Sequence, residues 1–175
     1  SDGGDSWSDA NTGLTTRNVW ALALSLGYVT DHTLFVGTEG GGVFRSSDGG
    51  DSWSAMNAGL ANLSVQALAL SPNYANDQTL FIGTRYHGVW KSTDGGGSWT
   101  QVSNGLTISD VRSLAISPGF AADGTLFAGT ANGGIFKTTN GGVSWTRLGS
   151  GVTNGDVIYL AISPAYATDG HIFTY

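Results

Sequence analysis

Two aspartates, Asp110 and Asp156, stand at the same place before two apolar segments that lie 46 residues apart. Paired carboxyl groups are the chemistry of a glycosidase, and an inverting pair needs a separation of about 6.5 to 9.5 Å and one pKa raised by burial. The flanking residues, Ser-Asp-Val and Gly-Asp-Val, do not indicate an apolar pocket around either acid. Capping of a turn is therefore the favoured role of both aspartates, and catalysis is the alternative.

A second candidate site is the run Arg85-Tyr86-His87, which brings a guanidinium, a phenol and an imidazole into one loop. Tyrosine and arginine are favoured at binding hot spots, so the run is suited to stack against a sugar ring or to anchor a partner peptide. The alternative interpretation is a solvated turn in which Tyr86 covers an apolar edge.

Metal and thiol chemistry have little support in the sequence. Cysteine is absent, and the three histidines, His32, His87 and His171, lack metal-ligand spacing, so we expect no zinc site. Equivalent aspartates in four loops are candidates for calcium ligands together with loop carbonyls: Asp31, Asp77, Asp123 and Asp169. Lone turn aspartates more often accept hydrogen bonds from their own backbone, so we expect no cofactor and keep calcium as the alternative.

These residues belong to a block of 46 residues that recurs without a gap. Three full copies cover residues 1–46, 47–92 and 93–138, and a shortened copy covers residues 139–175. A fixed period of this length is typical of stacked supersecondary units and not of a catalytic domain built around unique residues. We therefore predict a single repeat domain.

Each copy contains four short segments that suit β-strands. In the second copy they are strand A at 65–71, strand B at 79–84, strand C at 88–92 and strand D at 98–102. Strand A is too apolar for a half-exposed strand and too short for a helix, so we expect it to be buried on both faces. Short connections rich in Gly, Pro, Asn and Asp predict an antiparallel meander. Four strands in 46 residues predict an all-β fold, a β-propeller built of four-stranded blades.

Small residues recur where such blades would crowd together. Ala67 and Ala69 in strand A suit the convergence of inner strands on an axis. Strand B carries a glycine in three copies, which would let a neighbouring backbone or ring approach closely; these are Gly37, Gly83 and Gly129.

The most specific motif lies between strands C and D, where Ser/Thr-x-Asp-x-Gly-x-Ser-Trp recurs. A short carboxylate or amide accepts bonds from the turn's amides, glycine takes a positive φ, and the indole packs beneath. The acidic position and the tryptophan of the four copies are Asp2 and Trp7, Asp48 and Trp53, Asp94 and Trp99, and Asn140 and Trp145. We interpret these residues as a folding device, with Asn140 the single departure from an acid.

On this motif the chain resembles the Asp-box (BNR) repeat propellers, which include sialidases, sortilin-type receptor ectodomains, xyloglucan-cleaving glycoside hydrolases and photosystem II assembly-factor-like proteins. In those families the box lies on the periphery, so the resemblance implies architecture and not activity. A sialidase-like site would need converging arginines and a Tyr/Glu pair. Glu39 is the only glutamate, and the five arginines occupy five different repeat positions.

The two ends of a blade differ when the copies are compared. The A–B loops and C–D turns, which we name the repeated end, barely change and read Ser-Pro-x-Tyr/Phe-Ala-x-Asp followed by the box. The B–C and D–A loops, which we name the variable end, differ in every copy. A binding surface is expected at the variable end, because the scaffold does not dictate those residues; the candidates are Arg17, Glu39, Arg85, Tyr86, His87, Asp110, Asn132 and Asp156.

The composition restricts the classes of partner that the chain is expected to bind. Seven Lys and Arg against thirteen acids give a formal charge of -6, with no basic run, so we expect neither nucleic acid nor an anionic membrane as a partner. No apolar stretch approaches 18 residues, so we expect no membrane insertion. The lysine-poor, Ser/Thr/Asn/Gly-rich surface suits an extracellular or cell-surface protein, and Asn62-Leu63-Ser64 fits a glycosylation acceptor.

Two function classes follow from these patterns. The favoured one is a non-enzymatic exported scaffold or adhesion module that binds a protein or glycan at its variable end. The alternative is a fragment of a polysaccharide-acting hydrolase of the xyloglucanase type. Because the copies begin and stop within a blade, we also expect further blades of the same or another chain to complete the propeller.

Overall fold

The structure is a computed structural model that describes residues 3–149 and 155–174. The acidic position of the first box, Asp2, lies outside these residues.

The strands form four successive antiparallel sheets, which we call blades 1 to 4. Blade 1 contains β1 (Val19–Leu24), β2 (Leu34–Thr38), β3 (Gly42–Ser46) and β4 (Ser54–Ala55). Blade 2 contains β5 (Val65–Leu70), β6 (Leu80–Thr84), β7 (Gly88–Ser92) and β8 (Thr100–Gln101). Blade 3 contains β9 (Val111–Ile116), β10 (Leu126–Thr130), β11 (Gly134–Thr138) and β12 (Thr146–Arg147). Blade 4 contains β13 (Leu160–Ile162) and β14 (Ile172–Thr174).

Every strand pairs with its neighbour in the chain, so the predicted meander and the all-β fold are confirmed. Two local features were not predicted. A single helical turn follows strand A in each blade: α1 (Tyr28–Asp31), α2 (Tyr74–Asp77), α3 (Phe120–Asp123) and α4 (Tyr166–Asp169). Strand D is also shorter than predicted, because the N–H groups of Ser98 and Trp99 bond to Asp94 and Ala58 and not to strand C.

Strand A is the innermost strand, and the prediction that both of its faces are buried holds only in part, because one face is buried and the other is half-buried. In β5, Val65, Ala67 and Ala69 are buried, whereas Gln66 and Leu68 are half-buried. The half-buried residues line a cleft along the axis on which the A strands converge. An inner strand therefore keeps one side open to the axis.

Adjacent blades pack face to face through the glycine of strand B. A Cβ atom built on Gly83 would lie 2.6 Å from Cγ1 of Val111 and 3.0 Å from its carbonyl oxygen, so a side chain there has no room. This agrees with the close approach expected from the sequence. The same contact joins Gly37 to Val65 and Gly129 to Val157.

A β-bulge turns this valine toward the preceding blade. Val65 pairs with Thr84 and Ala67 pairs with Gly83, so Gln66 is the extra residue of the ladder. Because the extra residue shifts the alternation by one, the side chains after it point to the opposite face of the sheet from the one they would otherwise occupy. The extra residue itself is unpaired, and its side chain belongs to neither face of the sheet. Gln66 accordingly lies on the axial cleft.

An edge-to-face aromatic pair joins strand B of each of blades 1 to 3 to the following blade. The ring centroids lie 5.7 Å apart for Phe35 and Tyr74, 5.5 Å for Phe81 and Phe120, and 5.6 Å for Phe127 and Tyr166. The second ring of each pair comes from the one-turn helix of the following blade. The Tyr/Phe of the repeated Ser-Pro-x-Tyr/Phe run is therefore a junction residue.

Blades 1 and 4 each have one face that no described blade covers, and apolar side chains are exposed there. Leu22 of blade 1 is 59% exposed, whereas Leu68 at the same place in blade 2 packs into the core of the blade 1–2 junction. Phe173 of blade 4 is 62% exposed, whereas Phe127 is 2% exposed. The described blades are consistent with an incomplete propeller.

Candidate functional site

At the repeated end, the box turns use their polar side chains internally. Asp94 accepts bonds from the hydroxyl of Ser92 at 2.7 Å and from the hydroxyl and amide of Ser98 at 2.6 and 2.9 Å. The Ser98 hydroxyl, followed by that of Ser92, lowers the pKa of Asp94 to about 2. Asp48 has the equivalent bonds, and its pKa is also lowered to about 2, chiefly by the hydroxyl of Ser52.

The fourth box replaces the acid by an amide without losing the turn. Asn140 Oδ1 accepts from the amide of Ser144 at 3.0 Å, and its Nδ2 donates to the Ser144 hydroxyl at 2.9 Å. The geometry therefore depends on a short acceptor at this position and not on a negative charge.

The tryptophans of the second, third and fourth boxes each bond to a main-chain carbonyl of the preceding repeat. The indole N–H of Trp99 donates to the carbonyl of Met56 at 2.8 Å, and its main-chain N–H donates to Ala58. Trp99 is only 5% exposed, whereas Trp7 is 91% exposed and donates locally to Gly4. Equivalent indole bonds link Trp53 to Ala10 and Trp145 to Val102.

The aspartates considered as calcium ligands cap the loop after strand A. Asp77 Oδ2 accepts from the Ser71 hydroxyl at 2.6 Å and Oδ1 from the Thr79 amide at 2.8 Å. Asp31, Asp123 and Asp169 repeat the pattern. The amide of His171, followed by the Ser163 hydroxyl, lowers the pKa of Asp169. No group of three His, Asp or Glu side chains that could hold a metal occurs among residues 3–149 and 155–174; calcium binding stays an untested prediction.

At the variable end, the B–C and D–A loops of each blade are joined by main-chain bonds. The amide of Arg85 donates to the carbonyl of Ser64 at 2.9 Å, and the amide of Ala131 donates to Asp110 at 3.0 Å. In blade 1 the amide of Glu39 donates to Asn18, whose side chain returns a bond to the Glu39 carboxylate at 3.1 Å. Arg17, which precedes Asn18, is exposed.

The Arg85-Tyr86-His87 loop presents a cation and a ring on its surface. The Arg85 guanidinium lies 5.0 Å from the centroid of the Tyr86 ring, and Tyr86 is 59% exposed with φ of 72°. His87 contributes its carbonyl, which accepts from the indole of Trp90 and the amide of Gln101. The ring of Tyr86 therefore stands clear of the blade instead of covering it.

The structure brings Asp110, Asn132 and Asp156 together around Arg112, which was not among the candidate binding residues. Arg112 Nη1 lies 2.7 Å from Asp156 Oδ2, and its Nη2 lies 3.7 Å from Asp110 Oδ2. The other oxygen of Asp156 accepts from the amide of Asn132 at 2.9 Å. The two carboxylates thus share one guanidinium, an arrangement that compensates charge and differs from the apolar site of a proton-donating acid.

Three further side chains were missed, and they occupy the same repeat position as Arg112. The residue after the strand-A valine differs in every copy, while the pattern Val-x-x-Leu around it is kept in all four. That contrast was readable from the sequence. All four side chains line the axial cleft, whose volume is about 530 Å³; they are Trp20, Gln66, Arg112 and Ile158.

The glycosylation candidate Asn62 is half-buried, and its Oδ1 accepts from the amide of Ser64 at 2.8 Å. Its side-chain nitrogen makes no bond to Ser64. Within the described part of the chain, no helix is long and apolar enough to cross a membrane.

Comparison with solved structures shows a shared propeller fold. A GH74 xyloglucanase from Xanthomonas campestris gives a TM-score of 0.68 at 18% identity, over 94% of this chain and 28% of that protein. YCF48 bound to D1 peptide gives 0.65 at 19%, over 87% of this chain and 48% of that protein. The extracellular domain of the hybrid two-component protein BT3049 from B. thetaiotaomicron gives 0.68 at 17%, over 93% and 22%.

At these identities the likeness shows the fold alone, and the predicted β-propeller is confirmed. The chain spans between 22% and 48% of these three proteins. No protein-family model matches the chain, and no curated protein matches its sequence.

Proposed function

We propose that this chain is a non-enzymatic binding module of an exported protein, and that its variable end contacts a protein or glycan partner. Under this proposal the repeated end holds the blades together, and the B–C loops carry the recognition residues.

The conformation of Tyr86 carries the proposal. The equivalent residues of blades 1 and 3 are Gly40 and Asn132, with φ of 78° and 56°. Glycine and asparagine are common in this left-handed region, whereas a bulky aromatic residue there is an outlier that raises the energy of the fold. Packing does not compensate for it, because the ring is 59% exposed. A strained, exposed tyrosine beside an arginine is typical of a recognition residue.

The structural relatives support the class of function. YCF48 is described in complex with a peptide, BT3049 contributes an extracellular domain, and the GH74 enzyme acts on a polysaccharide. Propellers of this shape are therefore found in complex with a protein segment, in an extracellular domain and in a xyloglucanase, which is the range of partners and locations that we propose.

A fragment of a xyloglucanase-type hydrolase is the second candidate, favoured by the likeness to GH74 enzymes. The described acids weigh against it as a catalyst in its own right, since Asp110 and Asp156 are bridged by Arg112. Release of reducing sugar from xyloglucan by the purified chain would reverse this preference.

The test is binding of the immobilised chain to a glycan array and to a library of extracellular proteins. Tyr86→Asn is the informative variant, because it installs the residue that blade 3 has in the same conformation. We expect at least a tenfold loss of affinity for any partner bound by the parent chain, as for a hot-spot residue.

A matched control removes an exposed apolar side chain from the repeated end. Val143 is 68% exposed in the fourth box, and Val143→Ser should leave binding unchanged. Equal loss of binding in both variants, or none in Tyr86→Asn, would contradict the proposed surface.

A further inference from the structure

Four unlike side chains at one repeat position surround part of one cleft. Trp20, Gln66 and Arg112 are bulge residues, Ile158 holds the equivalent position in blade 4, and all four line the same space of about 530 Å³. The volume lies within the range of ligand sites, which is about 300 to 1,000 Å³. The valine just before each of them is kept in all four copies, so variation here is confined to the axial side chains.

Five buried side-chain atoms have no hydrogen-bond partner among the described residues, and three of them lie at or beside the cleft. Gln66 Oε1 and Arg112 Nε belong to residues that line the cleft, and Asp110 Oδ1 belongs to the residue beside Arg112. Asp110 is only 9% exposed as a whole residue and lies against the guanidinium of Arg112. Buried polar atoms are paired in nearly all native proteins, so three unpaired atoms clustered beside one cleft are candidates for contacts with a ligand.

The kinds of unpaired atoms define the ligand's polar group. Gln66 Oε1 and Asp110 Oδ1 accept hydrogen bonds, whereas Arg112 Nε donates one. An anion is disfavoured by the carboxylates of Asp110 and Asp156, and an ammonium group cannot accept from Arg112. A neutral group that both donates and accepts, such as a carboxamide or a main-chain peptide group, satisfies both kinds of atom.

The rest of the lining defines the apolar part of the ligand. The remaining lining consists of Ser113, Tyr159 and six aliphatic side chains that offer no hydrogen bonds: Ala21, Leu22, Ala67, Leu68, Leu114 and Leu160. The Ser113 hydroxyl already donates to the carbonyl of Val157, and Tyr159 is 68% exposed. A sugar ring placed against the six aliphatic side chains would bury several hydroxyls without partners, which is unfavourable. An aliphatic side chain fits the same surface at no such cost.

We propose that the axial cleft binds an uncharged peptide segment, with an aliphatic side chain against the leucines and a peptide amide between Gln66, Asp110 and Arg112. This inference deepens the proposed function and rests on it, since it names a peptide as the ligand and the axis as a second contact region beside the B–C loops.

The first test is an NMR titration of the ¹⁵N-labelled chain with N-acetyl-leucinamide, the smallest probe with one aliphatic side chain and neutral amides. We expect saturable shifts of the Arg112 Nε–H and Trp20 indole N–H signals. Gln66→Leu keeps the size of the side chain but removes its acceptor, and it should weaken binding about fivefold.

Gln101→Leu is the matched control, because Gln101 lies on the outermost strand and should leave the titration unchanged. Should Gln66→Leu fail to fold, Trp20→Ala removes the indole from the same cleft and should also weaken binding. Unchanged affinity in the folded cleft variant, or no shift at Arg112, would overturn the proposal.

Two further titrations distinguish a peptide ligand from a sugar, and the axial site from the proposed function of the B–C loops. Cellotetraose in place of the peptide probe should leave the Arg112 and Trp20 signals unmoved, and their saturation by the sugar would overturn the assignment of a peptide. Tyr86→Asn should not affect the N-acetyl-leucinamide titration. If the axial cleft does not bind the peptide probe but Tyr86→Asn still loses partner binding, this inference is overturned and the proposed function is retained.

Discussion

Within blade 2, the two ends use polar and aromatic side chains in opposite ways. At the repeated end, Asp94 is fully engaged by Ser92 and Ser98, and Trp99 is buried against the preceding blade. At the variable end, Tyr86 is exposed in a strained conformation, and the unpaired oxygen of Gln66 lies on the axial cleft. Residues that recur in every copy satisfy one another, whereas residues that differ between copies leave groups available to a partner.

The largest effect that would test this contrast is expected at Trp99. Trp99→Ala removes a buried indole and its bond to Met56, so we expect a loss of about 3–5 kcal/mol in the free energy of unfolding, measured by urea denaturation. Trp7→Ala, at the equivalent box position with a 91% exposed side chain, should change it by less than about 0.5 kcal/mol. Similar losses in both variants would show that burial against the preceding blade is not what the box tryptophan contributes.

A second prediction concerns the blade junction that lies next to a variable residue. Gly83 and Val111 touch directly beside the variable bulge residue Arg112. A methyl group at Gly83 would lie 2.6 Å from Val111 Cγ1, so Gly83→Ala should cost about 1–3 kcal/mol of unfolding free energy. The control is Gly149→Ala, where a Cβ atom meets nothing within 4 Å and no positive φ is required. A neutral Gly83→Ala would mean that the blades are free to separate at this junction.

Recurrence in the sequence predicted the junctions well. The period, the strand-B glycines and the boxes recur because each satisfies a local geometric demand, and Gly83 and Trp99 lie where such demands are met. The one-turn helices were missed, because four residues such as 74–77 are too short to show helical periodicity. The Tyr or Phe in each of these turns was recognised as a recurring residue, but its role at the junction between blades was not predicted.

The axial residues were not predicted, for a different physical reason. Arg112 looked like one of five scattered arginines until the bulge placed it between Asp110 and Asp156. A bulge inserts one residue into a ladder and so changes where a side chain points, and no pattern of residue types alone reports that direction. The variation at Gln66 and Arg112 beside kept valines was the available signal.

A third prediction concerns acid stability at the repeated end. The pKa of Asp94 is lowered to about 2, so its stabilising contribution is complete above its ordinary value of 3.8 and is lost as the pH falls toward 2. Asp94→Asn should change the midpoint of urea unfolding little at pH 7, because Asn140 holds the same turn. Between pH 5 and pH 2 the variant should lose less stability than the parent chain. Parallel pH curves for the two proteins would contradict this role of the carboxylate.

The smallest stability effect is expected at Tyr86, and its sign is informative. Tyr86→Asn places a residue that tolerates φ near 72° where an exposed tyrosine is strained, so the free energy of unfolding should stay the same or rise by up to about 1 kcal/mol. A gain in stability together with a loss of partner binding would mean that the tyrosine is kept at the expense of the fold. A clear loss of stability in the same urea experiment would instead assign Tyr86 a structural role, and the contrast between the two ends of the blade would no longer hold there.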